Sequence, residues 1–126
     1  MTLEAYLNGA KFVVQSGTFA IVKASAMYSK AFVTIVDDAE TTVIVDEALL
    51  HEVQAIEIQR GFKVITLEVV LPMHLVGVTA KIATALADAG VAIMPVAAYS
   101  RDHFLVREAD LDRGLAVLER IGERGA

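Results

Sequence analysis

Between Leu67 and Gly122 the chain switches between two kinds of periodicity, and glycines mark the switches. An apolar run, LEVVLPMHLVG, ends at Gly77, and a helical stretch, VTAKIATALADA, ends at Gly90. A hairpin-like segment, VAIMPVAAYSRDHFLV, follows, and READLDRGLAVLERIG closes the region. Strand, helix, strand, strand, helix is a βαββα order. It predicts an α+β fold, with helices gathered on one face of an antiparallel sheet.

The side-chain pattern sharpens this. In Phe62–Leu71 one parity, Ile65, Leu67, Val69 and Leu71, is wholly apolar, and the other, Phe62, Val64, Thr66, Glu68 and Val70, is mixed. Side chains alternate across a strand, so helices belong on one face and a less dry environment on the other. From Val78 to Ala89 a stripe of Val78, Ile82, Ala85, Leu86 and Ala89 opposes Lys81, Thr84 and Asp88, which predicts an amphipathic helix. Gly90 stands where a left-handed C-cap glycine belongs. Pro95 cannot donate to a ladder, so Val91–Tyr99 is expected at a sheet edge, the place of the second strand in a βαββαβ sheet of order 4-1-3-2. A last helix is expected from Glu108 or Ala109 to Ile121. Leu111, Leu115, Leu118 and Ile121 would point inward, and Asp110 and Asp112 would suit its positive end.

Upstream, Phe12–Gln15, Phe19–Lys23, Ala31–Val36 and Thr42–Asp46 are short β-branched and aromatic runs that read as strands. Asp37-Asp38-Ala39-Glu40 supplies a turn and Glu47-Ala48-Leu49-Leu50 the start of a short helix. Ile56–Gln59 resumes extended chain, and Gly61 marks a bulge or kink. A shift of 61 positions overlays Val45, Glu47, Ala48 and Leu50 on Val106, Glu108, Ala109 and Leu111, and Ala31 on Ala92. That repeat favours two related halves, 1–60 and 61–126.

Composition closes off several functions. Cysteine is absent, which removes disulfides, thiolate metal sites and thiol catalysis. A net charge of -5, with eleven scattered Lys and Arg, offers no basic footprint for nucleic acid or an anionic membrane. The longest uncharged runs, Val69–Ala80 and Ala89–Ser100, have twelve residues each, and a spanning helix needs about twenty. With Glu4 in an N-terminus that lacks a signal pattern, a cytoplasmic protein is expected. Apolar residues make up 56 % of the chain; counting glycine in place of tyrosine gives about 60 %, against an ordinary 45–50 %. In so small a chain that excess predicts a surface covered by a second copy, a homodimer, with a compact alanine-rich monomer as the alternative.

The glycine–helix–glycine–strand–tyrosine–hairpin sequence ending in LVREADL resembles the ACT domain, a small-molecule-sensing module. The likeness is to ACT domains found in tandem, such as those attached to aspartate kinases. Phe19-Ala20-Ile21-Val22-Lys23, Asp37-Asp38 and Arg60-Gly61-Phe62 extend it to small bacterial proteins of two ACT-like halves, over residues 12–121 and most clearly 75–111. The resemblance implies an N-terminal ACT-like half, 1–60, and a C-terminal ACT domain, 61–126, each ferredoxin-like. It also implies binding of an amino acid or similar small molecule at the loop after the first strand, often at an interface between modules. Here that site is His74, Leu75, Val76, Gly77, Val78 and Thr79. Glycine lets a backbone approach the ligand, and the unpaired amides of the helix start suit a carboxylate. Asp102, at the hairpin turn, would receive an ammonium. Relatives commonly carry polar or hydroxyl residues in this loop and along the second strand. Pro72, Met73, Val76, Pro95, Ala97 and Ala98 make the pocket here drier and favour a more apolar ligand, or none.

No reactive constellation competes with this reading. His51, His74 and His103 lack metal-ligand spacing, so no metal is expected, and no cofactor. Asp102 and His103 are adjacent, which on a strand puts them on opposite faces. Asp37-Asp38 reads as a solvated turn and Tyr99 as a packing residue. Three functions remain in order of preference: a non-catalytic regulatory sensor, a ligand-free assembly module that dimerises through apolar surface, and a small enzyme recruiting His74 and Asp102.

Overall fold

The structure, a computed structural model, describes residues 2–124. Its elements in chain order are α1 (Leu3–Leu7), β1 (Phe12–Val14), β2 (Phe19–Ala24), β3 (Val33–Val36) and β4 (Thr41–Asp46). A 3₁₀ helix (Glu47–Glu52), β5 (Ala55–Leu67), α2 (Val78–Asp88), β6 (Ile93–Ala97) and β7 (Asp102–Arg107) follow. A 3₁₀ turn (Glu108–Asp110) then leads into α3 (Leu111–Arg124). Two compact units form among the described residues: residues 2–15 join residues 63–124, and Ser16–Phe62 make the other.

In the larger unit β5 neighbours β7, and β7 pairs antiparallel with β6, Pro95 opposite Phe104. Among the described residues β6 has no further neighbour, the edge position its proline predicts. β1 pairs antiparallel with β5, Phe12 opposite Leu67 and Val14 opposite Ile65. The resulting order β1-β5-β7-β6 is the 4-1-3-2 sheet, its fourth strand drawn from the start of the chain. Strand residues Ile65, Leu67, Phe104 and Val106 share one buried cluster with Leu7 of α1, Val78, Ile82 and Leu86 of α2, and Leu118 and Ile121 of α3. At about 1.5–3 kcal/mol for each large side chain buried, this cluster dominates the unit's stability. Gly90, at φ 75°, lets the chain turn out of α2.

The other face of β5 is drier than its mixed sequence suggests: Val64 is fully buried and Thr66 is 4 % exposed. Thr66 tolerates burial because its hydroxyl has partners. Gln15 Nε2 donates to Thr66 Oγ1 at 2.9 Å, and Oγ1 lies 2.7 Å from His103 Nδ1.

In the smaller unit β4 lies between β3 and β2, and β2 also pairs with the first part of β5, all antiparallel. Ala20, Val22, Ala24, Val43 and Val45 form its core, with Leu49, Leu50 and Val53 packed against them. The two extended stretches around Gly61 are one continuous strand. Gly61, at φ 85°, absorbs a register shift opposite Phe19–Ile21, and its N–H donates to Glu47 Oε2 at 2.7 Å. The β3–β4 hairpin repeats the register of β6–β7: Val33 opposes Ile44, and Met94 opposes Leu105, each 61 positions on.

The repeat stops there. Only residues 25–32 connect β2 to β3, and a helical crossover takes about 10–12 residues or more. The described residues of this unit accordingly hold a six-residue 3₁₀ helix and no α-helix. The antiparallel α+β architecture is as the sequence predicts; a complete second ferredoxin-like half is not seen. No helix of the described residues is long and apolar enough to cross a membrane, and they contain no group of three His, Cys, Asp or Glu able to hold a metal.

Candidate functional site

After β5 the chain makes a ten-residue passage, 68–77, to the start of α2. Leu71 N–H donates to the Ser100 carbonyl at 2.7 Å, which ties this passage to the tip of the β6–β7 hairpin. Leu75 N–H donates to the Pro72 carbonyl at 3.0 Å and closes a turn. Gly77 then adopts φ 102°, ψ −2°, a left-handed N-cap with no side-chain cap hydrogen bond. A side chain there is strained whatever the space around it. The first bond of α2 runs from Lys81 N–H to the Gly77 carbonyl at 3.0 Å. The amides of Val78, Thr79 and Ala80 precede it, so they have no partner along the helix. No acidic residue occupies this first turn, so its partial positive charge is left uncompensated by sequence.

These groups line a cavity of about 240 Å³. The loop contributes Leu71, Pro72, Met73 and Leu75, the helix start Gly77, Val78, Thr79 and Ala80. The hairpin completes the wall with Ala97, Ala98, Tyr99, Ser100 and Asp102. A second hollow of about 160 Å³ shares Thr79, Ala97 and Asp102 with it and is walled further by Pro95, Val96, His103 and Phe104.

Among the described residues Asp102 is the one acid of the main cavity. It is paired across the hairpin with Ala97, and among the described residues its carboxylate accepts no hydrogen bond. Burial holds its pKa above the usual carboxylate range, and the neighbouring His103 pulls weakly the other way. Burial likewise lowers the His103 pKa, with Asp102 raising it and Arg101 lowering it to smaller extents. A neutral imidazole fits the geometry. Thr66 Oγ1 already accepts from Gln15, so its own hydrogen is free to point at Nδ1.

Of the residues named from sequence, Leu75, Gly77, Val78, Thr79 and Asp102 meet at this cavity. His74 is exposed and Val76 is 84 % exposed; neither lines it. Asp102 and His103 do lie on opposite faces, Asp102 towards the cavity and His103 beside Thr66. Tyr99, expected to pack, is 90 % exposed at the cavity wall. Ser100 and Tyr99 carry no signal beyond a hairpin tip, and only the pairing of Leu71 with Ser100 brings that tip to the loop.

No curated protein matches this chain. Among solved structures it is similar to a Vibrio cholerae protein of unknown function described as a possible transport protein. The two are 22 % identical, with a TM-score of 0.77 over 95 % of each chain. An Agrobacterium tumefaciens protein is 20 % identical, with a TM-score of 0.72 over 90 % of this chain and 89 % of the other. The ligand-free regulatory subunit of aspartate kinase from Thermus thermophilus is 12 % identical, with a TM-score of 0.65 over 90 % of this chain and 99 % of that one. At such identities the likeness is one of fold. The model of the ACT domain matches residues 57–120, which hold the loop, the helix start and the hairpin just described, and the chain belongs to the ACT-domain family.

Proposed function

We propose that the protein is a cytoplasmic, non-catalytic regulatory module that binds a small amino-acid-like ligand in the cavity at the start of α2. One observation carries the reading: uncapped helix amides and an unpartnered, partly buried carboxylate, Asp102, line the same cavity. Amides at a helix start suit a carboxylate, and an acid held above its usual pKa gains when an ammonium arrives. A volume of about 240 Å³ is below the range of drug-sized pockets and suits an amino acid. Leu75, Gly77, Val78, Thr79 and Asp102 are the proposed contacts, with His74 and Val76 on the outer side of the loop. Residues 61–126 are the sensing domain in this reading. The 61-residue repeat of hairpin register supports an ACT-like origin for residues 1–60. The regulatory role is supported by family membership and by the likeness to an aspartate kinase regulatory subunit.

A thermal-shift screen of the full chain against the common amino acids tests this. A ligand at a hundred times its Kd stabilises by about 2.7 kcal/mol. A flat screen refutes ligand sensing.

A second reading has its own observation. Val70, Met73, Val76 and Tyr99, all from the loop and hairpin tip, are 63–90 % exposed. Exposed apolar side chains on this loop and hairpin tip favour an assembly module, a homodimer joined through apolar surface. Sedimentation in moderate salt separates the two. A salt-resistant dimer with a flat ligand screen supports assembly, and a monomer at micromolar concentration removes the dimer.

A further inference from the structure

The hollow beside the main cavity bears on which amino acid the site would take. We propose that the ligand carries a compact aliphatic side chain, received between Thr79 on one side and Pro95, Ala97 and Phe104 on the other. This rests on the ligand-sensing reading above and narrows it.

Size is the first argument. The main cavity measures about 240 Å³ and the hollow about 160 Å³. The amino, α-carbon and carboxylate atoms of an amino acid fit within the main cavity. The hollow is the smaller of the two spaces, which favours a valine, leucine, isoleucine or methionine side chain over a benzyl or indolyl group.

Position is the second. Thr79, Ala97 and Asp102 border both spaces, so an α-carbon held near Asp102 has its side chain at the entrance to the hollow. Ala97 is the small residue at that junction, and any larger one would narrow it.

Chemistry is the third. Pro95, Val96, Ala97 and Phe104 give the hollow an apolar wall, and Phe104 is fully buried. Its titratable neighbours are Asp102, which faces it, and His103, whose ring nitrogen is turned to Thr66 on the other face. An acidic side chain there would face Asp102 as a like charge. A lysine ammonium would compete with the ligand's own amino group for that single carboxylate. Neither is well served.

Each buried methylene is worth about fourfold in affinity. Pro95 and Ala97 are exposed, so the hollow is open on one side. We therefore expect leucine or methionine to bind about tenfold more tightly than alanine, less than three fully buried carbons would give. Calorimetric titration of the full chain with alanine, leucine, methionine, phenylalanine, aspartate and lysine reads this directly. In Ala97→Leu the preference for leucine over alanine should fall to about one. Thr79→Leu, on the opposite wall, is a second variant should the first not fold, and should do the same. Binding without an aliphatic preference, or tighter binding of aspartate, lysine or phenylalanine, overturns the side-chain assignment and leaves ligand sensing intact. An aliphatic preference that survives both substitutions overturns the assigned location. No binding by any amino acid overturns the sensing reading and this inference with it.

Discussion

Two glycines of α3 respond oppositely to the same substitution. In a helix interior Gly→Ala stabilises by roughly 0.5–1 kcal/mol, because alanine loses less backbone entropy on folding. At Gly114 a new Cβ would meet Leu86 Cδ2 at 3.6 Å and Val91 Cγ1 at 3.7 Å, ordinary contact distances. Gly114→Ala should therefore gain about 0.5–1 kcal/mol. At Gly122 the Cβ would run into the carbonyl oxygen of Ala10. That backbone cannot easily retreat: Gly9 N–H donates to the Gly122 carbonyl at 2.9 Å, and Ala10 N–H to the Leu7 carbonyl at 3.0 Å. Overpacking against backbone costs about 1–3 kcal/mol, so Gly122→Ala should destabilise and the variants should differ by about 2 kcal/mol or more. Urea unfolding midpoints at unchanged slope measure the difference, and about 4 °C of Tm per kcal/mol should accompany it. If Gly122→Ala is as stable as Gly114→Ala, the approach of α3 to residues 9–10 is wrong.

Gly77→Val should cost about 1–2 kcal/mol from positive φ, more than the mild contact of a Cβ 3.3 Å from Leu3 Cδ2 accounts for. Its effect on ligand titration should exceed that on melting; equal melting temperatures for Gly77→Val and Gly77→Ala would show that strain from branching is negligible. Asp102→Asn should trade binding for stability. Its folded pKa is raised, so between the ordinary carboxylate value, about 3.9, and the raised one the folded state holds more proton than the unfolded, and stability falls as pH rises. The Asn variant should melt higher at neutral pH, with the gap closing towards pH 4, and should bind an amino acid about 5- to 150-fold more weakly; unchanged affinity removes Asp102 from the site. His103 acts in the other direction: its folded pKa is lowered, so stability is full above about pH 6.5 and is lost as pH falls below it. His103→Gln should flatten the melting curve between pH 5 and 7, and a parallel curve would contradict the partly buried, neutral imidazole.

What the sequence shows well here is local. Helix periodicity over 78–89, Gly90 as a C-cap, the edge placement of Pro95 and the bulge at Gly61 each follow from one residue's backbone chemistry. What it hides is non-local. Thr66 reads as a solvent-side residue until Gln15, just past β1, and His103 satisfy it. Tyr99 looks like a packing aromatic, yet the Leu71–Ser100 hydrogen bond sets the hairpin tip where its ring stays exposed. The missing α-helix of residues 16–62 was visible only as a short spacer between two apolar runs. For the cavity, the loop and helix start are contiguous and legible, whereas the wall supplied by Ala98, Tyr99 and Ser100 needs the hairpin register.

The borrowed strand β1 has a consequence for how the molecule is made. Phe12 waits for Leu67, and Gly9 for Gly122. At synthesis rates of about 5–20 residues per second, the segment around β1 spends about 5–20 s without its helix partner. During that interval Leu7, Phe12 and Val14 are apolar side chains with nowhere to go. Residues 16–62 have all their own strand partners and can close while synthesis continues. The cavity at the start of α2 therefore belongs to the late-folding part of the chain, and its assembly is the step most exposed to misfolding and to a chaperone's attention.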